Sequence, residues 1–166
     1  TEMLTGSLKD AERLGELVDG LLTLARMESD TAPPVAPVDV AHLAGVAGGP
    51  LLVMGDERAL ARAIDNLVEN AQRHASRVSV TARRADNSTI EINVDDDGPG
   101  VPPENREQIF ERFVRLDDAR ARDDGGSGLG LAIVRATAIA HGGSVTVDDS
   151  DLGGARFSLR LPAATR

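Results

Sequence analysis

The chain has 166 residues, 41% hydrophobic and 27% charged, which suits one compact domain plus a modest appendage and excludes a disordered chain. Its formal charge of −9 argues against nucleic-acid or anionic-membrane partners, so any anionic ligand must be held by local donors and a metal. With no cysteine, no signal peptide and no apolar run near the roughly 20 residues that span a bilayer, the chain is expected to be soluble and suited to a reducing cytoplasm.

Residues 2–28 predict one long helix. Leu4, Leu8, Ala11, Val18, Leu22 and Ala25 mark one apolar stripe, and Leu14, Leu17, Leu21 and Leu24 mark another beside it. A stripe that wide exceeds what a surface helix needs and predicts a helix built for a bundle, for example with a second copy of the chain. Ser29-Asp-Thr-Ala-Pro-Pro34 breaks the pattern, so residues 29–36 read as a linker. A second unit, 37–166, opens with short strands at Val38–Val40 and Leu51–Val53, separated by a helical turn and Gly48-Gly-Pro50.

Asp56 is a good N-cap for a helix reaching roughly His74, with Leu60, Ala63, Ile64, Leu67, Val68 and Ala71 on its buried face. Residues 77–84 and 90–96 alternate as two strands about the Asp86-Asn87 turn. Pro102 and Pro103 open a short helix through Phe110. Residues 114–127 are charged and glycine-rich, which predicts a mobile loop within a lid at about 101–127. A helix over 129–140 and strands near 144–148 and 155–161 complete an α/β two-layer sandwich, with helices on one face of a mixed, mainly antiparallel sheet.

Three groups carry chemistry. Asn66 and Asn70 lie one helical turn apart and face the same way, and a carboxamide oxygen suits a hard cation such as Mg²⁺. Arg73 and His74 extend that face toward a phosphate and a purine ring. Asp97 ends a strand before Gly98-Pro-Gly100, where a buried carboxylate can accept a hydrogen bond from an adenine amine. Asp95 and Asp96 stand beside it, and alternation alone leaves open which of the three faces the pocket. Gly126, Gly128 and Gly130 precede a helix whose first amides favour phosphate oxygens. No Lys-Ser/Thr follows them, so this is no Walker loop. Phe110 and Phe113 flank the loop and are expected to pin its start, while Arg112 and Arg115 can reach a terminal phosphate.

In this order, the pieces resemble the catalytic ATP-binding domain of bacterial sensor histidine kinases. Residues 62–74 look like the family's N box, Asp97–Gly100 its G1 box, Ile109–Phe113 its F box and Gly126–Leu131 its G2 box. Residues 10–28 resemble the second helix of the dimerisation domain, making 1–28 a partial copy of that domain. The resemblance implies that Asn70 ligates Mg²⁺ with Asn66 and Arg73 near the phosphates, that Asp97 reads the adenine amine, and that Arg115 approaches the γ-phosphate. It lines the nucleotide further with His74, Gly98, Gly100, Val101, Phe110, Phe113, Gly126, Ser127, Gly128, Leu129, Gly130 and Leu131.

It also implies phosphoryl transfer from ATP to a histidine on the dimerisation helices of the same or a partner protomer, then to a response regulator. The parent would be a homodimer, anchored in the membrane with this portion in the cytoplasm. The acceptor-histidine motif is missing, since His42, His74 and His141 stand in other contexts, so the fragment is expected not to autophosphorylate alone. The segment from Val40 to Leu51 is shorter than in the family by on the order of twenty residues, enough to remove a strand. Related pockets in topoisomerases, chaperones, mismatch-repair ATPases and serine kinases are alternatives. Hydrolytic members carry a catalytic Glu where this chain has Asn66. A non-catalytic nucleotide-binding dimerisation module is a further one.

Overall fold

A computed structural model of the chain describes residues 11, 14–15, 17–18, 20–25, 35–116 and 127–164. The described residues between 11 and 25 are helical and form α1. Then come β1 (Ala36–Asp39), α2 (Val40–Leu43), β2 (Leu52–Gly55), α3 (Glu57–His74), β3 (Val78–Arg84), β4 (Thr89–Asp96), two 3₁₀ turns, α4 (Gly130–Ala140), β5 (Ser144–Asp149) and β6 (Ala155–Pro162). The expected helix from Pro102 to Phe110 is instead those two turns, Pro103–Asn105 and Gln108–Phe110. Residues 29–34 of the expected 29–36 linker, most of the expected loop (117–126), and residues 1–10 and 26–28 of the expected long helix lie outside the described residues, and Ala36, expected in the linker, already belongs to β1.

The main sheet runs β3-β4-β6-β5, and β1 and β2 form a separate two-stranded sheet. Every pairing among the described strands is antiparallel, so no parallel pair makes the sheet mixed. The small sheet is tied to the end of β6, where Val53 bridges Ala163 and the Ala164 amide donates to the Leu52 carbonyl at 2.8 Å. The short 40–51 connection is closed by its own bonds. Asp39 Oδ1 accepts the amides of Ala41 (3.1 Å) and Leu51 (2.9 Å), and the Val40 amide donates to the Leu51 carbonyl. With no strand beyond it among the described residues, β3 is a sheet edge.

The core lies between the sheet and the α3–α4 layer. Leu60, Ile64 and Leu67 of α3 meet Ile90, Ile92 and Val94 of β4, with Val134 of α4 and Phe157, Leu159 and Leu161 of β6. Removing that much apolar surface from water, at about 25 cal/mol per Å², is the main force holding the two layers together. A smaller cluster docks α1: Leu24 packs on Leu129 and Ile133, and the Arg62 guanidinium donates to the Thr23 hydroxyl at 2.6 Å. Leu14, Val18, Leu21 and Leu22 stay exposed on the other side of α1. No helix among the described residues is long and apolar enough to cross a membrane.

Candidate functional site

Asp56 sets the start of α3. Its carboxylate accepts the amides of Arg58 (2.9 Å) and Ala59 (3.3 Å), satisfying donors that the helix itself cannot. Burial of Leu60, Ala63, Ile64, Leu67 and Ala71 then fixes the rotation of the helix, leaving Asn66 and Asn70 half-buried along one edge with Arg73 and His74 exposed beyond them. The Asn66 amide nitrogen is buried and has no partner among the described residues. It sits against the first turn of α4, where a Cβ on Gly130 would lie 3.6 Å from Asn66 Oδ1. A buried donor without an acceptor is costly, which makes this amide a candidate position for a ligand.

At the end of β4, the acid on the inner face of the sheet is Asp96. Ile90, Ile92 and Val94 point into the core, and period two carries the same face on to Asp96, only 4% exposed. Asp96 Oδ1 accepts the amides of Gly98 (2.9 Å) and Ala155 (3.1 Å), and its carbonyl accepts the Gly154 amide. Gly154 must be glycine, because a Cβ there would collide with the Asp96 carboxylate and the Gly98 amide. Gly98 approaches the end of α3 as closely, and a Cβ on it would lie only 2.7 Å from the His74 carbonyl.

Asp97, expected at the adenine, is used elsewhere. Its Oδ1 accepts the amides of Ser76 (2.9 Å) and Arg77 (2.8 Å), and its Oδ2 pairs with the Arg77 guanidinium at 3.0 Å. The Arg77 amide and then its guanidinium hold the Asp97 carboxyl below the usual range. It closes the α3–β3 turn and faces away from Asp96. The other neighbour, Asp95, lies on the opposite sheet face with Arg156 (2.7 Å) and the Ser150 hydroxyl (2.8 Å).

Gly100 adopts φ 72°, and the Val101 carbonyl that follows accepts from Arg106, whose guanidinium also pairs with Asp148 (3.1 Å) and Asp149 (2.7 Å). These contacts fasten Val101 and Arg106 to the end of β5. Phe110 is buried edge-on against Phe157, as a pinning residue should be. Phe113 is not: it is 56% exposed and holds φ 66°. Its amide donates to the Gly128 carbonyl at 2.9 Å, which joins residues 113 and 128.

Arg115 is exposed just beyond this neck, and Gly126 lies outside the described residues. Among the described residues no side chain caps α4, while Ser127 Oγ accepts the Leu129 amide at 3.4 Å. Leu129 departs from expectation: its side chain is fully buried against Leu24 and Ile133 under α1, so only its backbone is left for a ligand. Leu131 packs beside the main core. Among the described residues no three His, Cys, Asp or Glu side chains gather as a metal cluster.

α3 therefore touches both glycine turns, Gly130 at Asn66 and Gly98 at His74, and these contacts are about 12 Å apart along its axis. Residues 55–165 match the family described as histidine kinase-, DNA gyrase B-, and HSP90-like ATPase. The chain belongs to that family. It is 43% identical to the sensor protein RstB of Escherichia coli K12 over 173 residues, covering 93% of this chain and 40% of RstB. It is 38% identical to the sensor-like histidine kinase SenX3 of Mycobacterium tuberculosis H37Rv over 178 residues, covering 94% of this chain and 43% of SenX3.

The chain thus spans about two fifths of these curated relatives. Among solved structures, the mycobacterial sensor histidine kinase MprB superposes with a TM-score of 0.69 at 31% identity, over 80% of this chain and all of that one. Full-length ShkA, solved in complex with AMPPNP, gives 0.80 at 30% identity over 99% of this chain and 39% of that one. The RstB match runs over 173 residues while using 93% of a 166-residue chain, so that relative is longer within the matched span. Asp96 is one of three adjacent acids among which alternation alone leaves the choice open. Gly154 and His141 belong to Gly153-Gly-Ala-Arg-Phe157 and Ala140-His-Gly-Gly143, runs that resemble the family's closing hairpin but do not announce these contacts.

Proposed function

We propose that this domain binds Mg-ATP between α3, the end of β4 and the start of α4, and presents the γ-phosphoryl group to a histidine outside residues 1–166. The observation that carries the reading is the convergence on α3. A buried amide without a partner meets a glycine helix start at one end, and the turn after a buried acid meets the other. In this reading Asp96 takes the role expected of Asp97. With Oδ1 occupied by two backbone amides, Oδ2 is left to accept from the exocyclic amine of adenine, which guanine lacks.

Asn66 Nδ2 donates to a phosphate oxygen, and the first amides of α4 face the phosphates from the other side. Asn70, one turn further along α3, offers a carboxamide oxygen to Mg²⁺. A neutral ligand suits an ion that takes most of its charge compensation from substrate phosphates, and the donor set here fits it. When bound, Mg²⁺ offsets charge on the β- and γ-phosphate oxygens. Arg73 and Arg115 add positive charge near the phosphates, with Ser127, Gly128 and Gly126 shaping the lid side.

In the transfer, the acceptor imidazole nitrogen bonds to Pγ as the bond from Pγ to the β–γ bridging oxygen breaks. ADP leaves with that electron pair, and the imidazole gives up its N–H proton to solvent. The domain's contribution is positioning and electrostatics. A response regulator as the next acceptor, and a dimeric, membrane-anchored parent, belong to the same proposal.

The test mixes this chain with a separately produced acceptor-helix protein and γ-labelled ATP. Acid-labile, base-stable label on the acceptor supports a histidine kinase. Free phosphate without transfer identifies a hydrolase of the same fold, and neither product identifies a nucleotide-binding module without catalysis.

A further inference from the structure

α4 runs antiparallel to α3 and packs along it, with a distinct contact at each end. Near its start, Gly130 lies against Asn66, and just past its end His141 reaches the cap of α3. The Asp56 amide donates to His141 Nε2 at 3.1 Å, and His141 Nδ1 lies 2.8 Å from the Thr137 carbonyl. With Nε2 accepting, Nδ1 is the ring nitrogen that donates to the Thr137 carbonyl. The ring lies on Gly55, where a Cβ would sit 2.6 Å from Nε2 and 2.9 Å from Leu60 Cδ1. The spans between the two contacts match: Asp56 to Asn66 rises about 15 Å and Gly130 to His141 about 16 Å, at roughly 1.5 Å per helical residue.

The geometry points to His141 as a positioning residue for the phosphate half of the site, acting as a staple that fixes the register of α4 along α3. This rests on the nucleotide reading above. His141 touches no ligand. It acts through α4, whose first turn must face Asn66 for the amide of one and the backbone of the other to share a phosphate. Slippage of a helix by even one residue moves Gly130 by about 1.5 Å, enough to lose a hydrogen bond on either side. The adenine end is built from β4, the β5–β6 turn and the end of α3 at His74, with no residue of α4 in it.

The experiment uses the whole chain with His141→Ala and His141→Gln, titrated with Mg-ATP and, separately, with adenosine, well below each protein's melting temperature. The expected result for His141→Ala is a loss of about tenfold or more in Mg-ATP affinity with adenosine affinity unchanged. Glutamine, whose Oε1 can accept the Asp56 amide, is expected to restore most of the loss. An equal fall for both ligands, or wild-type affinity for both, would overturn the staple and leave the nucleotide reading standing. Wild-type chain that binds neither ligand would overturn that reading and the staple with it. Should His141→Ala fail to fold, the glutamine variant still decides: it must bind Mg-ATP within a few-fold of wild type while binding adenosine normally.

Discussion

Asp96→Asn isolates the group proposed to read the base. The asparagine oxygen can keep both backbone amides now held by Asp96 Oδ1, those of Gly98 at 2.9 Å and Ala155 at 3.1 Å, so the turn should survive. The other position changes from an acceptor to an NH₂ donor. A hydrogen bond to a charged group is worth about 1.5–3 kcal/mol, and a buried donor forced against another donor adds roughly 1–3. A combined loss of about 3 kcal/mol corresponds to a roughly 100-fold weaker dissociation constant for ATP, at about 1.4 kcal/mol per tenfold.

Asp97→Asn is the control. Its carboxylate serves Ser76 and Arg77, so ATP affinity should stay at the wild-type value. Asp96→Ala differs from both, because it strips the acceptor from one buried and one partly buried amide and should cost about 2–4 kcal/mol of stability. Calorimetric titration with Mg-ATP, paired with thermal melts followed by circular dichroism, reads all three. Wild-type affinity in Asp96→Asn, or lost affinity in Asp97→Asn, would refute the assignment.

Gly154→Ala pushes a methyl into the Asp96 carboxylate and should cost about 1–3 kcal/mol, visible as a lower melting temperature and weaker ATP binding; Gly49→Ala, with open space around it, should change neither. Asn70→Ala should lower ATP affinity by about tenfold in Mg²⁺ and far less in EDTA, with an unchanged melt; an equal loss in both would count against a metal ligand. Burial pushes the Glu91 carboxyl up, but hydrogen bonds from Arg160, Asn93 and Arg83 outweigh it, leaving it below its ordinary value of 4.5. A depressed acid stabilises the fold above that value and stops doing so as pH falls through the lower, folded one. Glu91→Gln should therefore be less stable at pH 7 and lose less on acidification below about 4.5, whereas parallel melting curves for the two proteins would contradict this.

Much of the fold was legible because local and global signals agree. The cap at Asp56, the apolar face of α3 and the Asp86-Asn87 turn are set by residues a few positions apart, and the structure shows each. The choice among Asp95, Asp96 and Asp97 was also written in the sequence. The inward phase of Ile90, Ile92 and Val94 continues to Asp96, whereas taking the glycine turn as the landmark points one residue too far. Alternation was less clear than usual because Glu91, Asn93 and Asp95 are buried too, beneath Arg83, Arg160 and Arg156. The His141–Asp56 contact joins residues 85 positions apart, and the burial of Leu129 depends on where α1 docks. Neither has a local signature.

The open flank of β3 has a consequence for handling the protein. A strand that ends a sheet can recruit another strand, and proteins commonly blunt such margins with charge. Here Arg77, Arg83 and Arg84 line that margin in an otherwise acidic molecule, two of them already committed to Asp97 and Glu91. They act as bumpers, so neutralising them should make the protein sticky and its solubility dependent on concentration, even where the fold itself is intact.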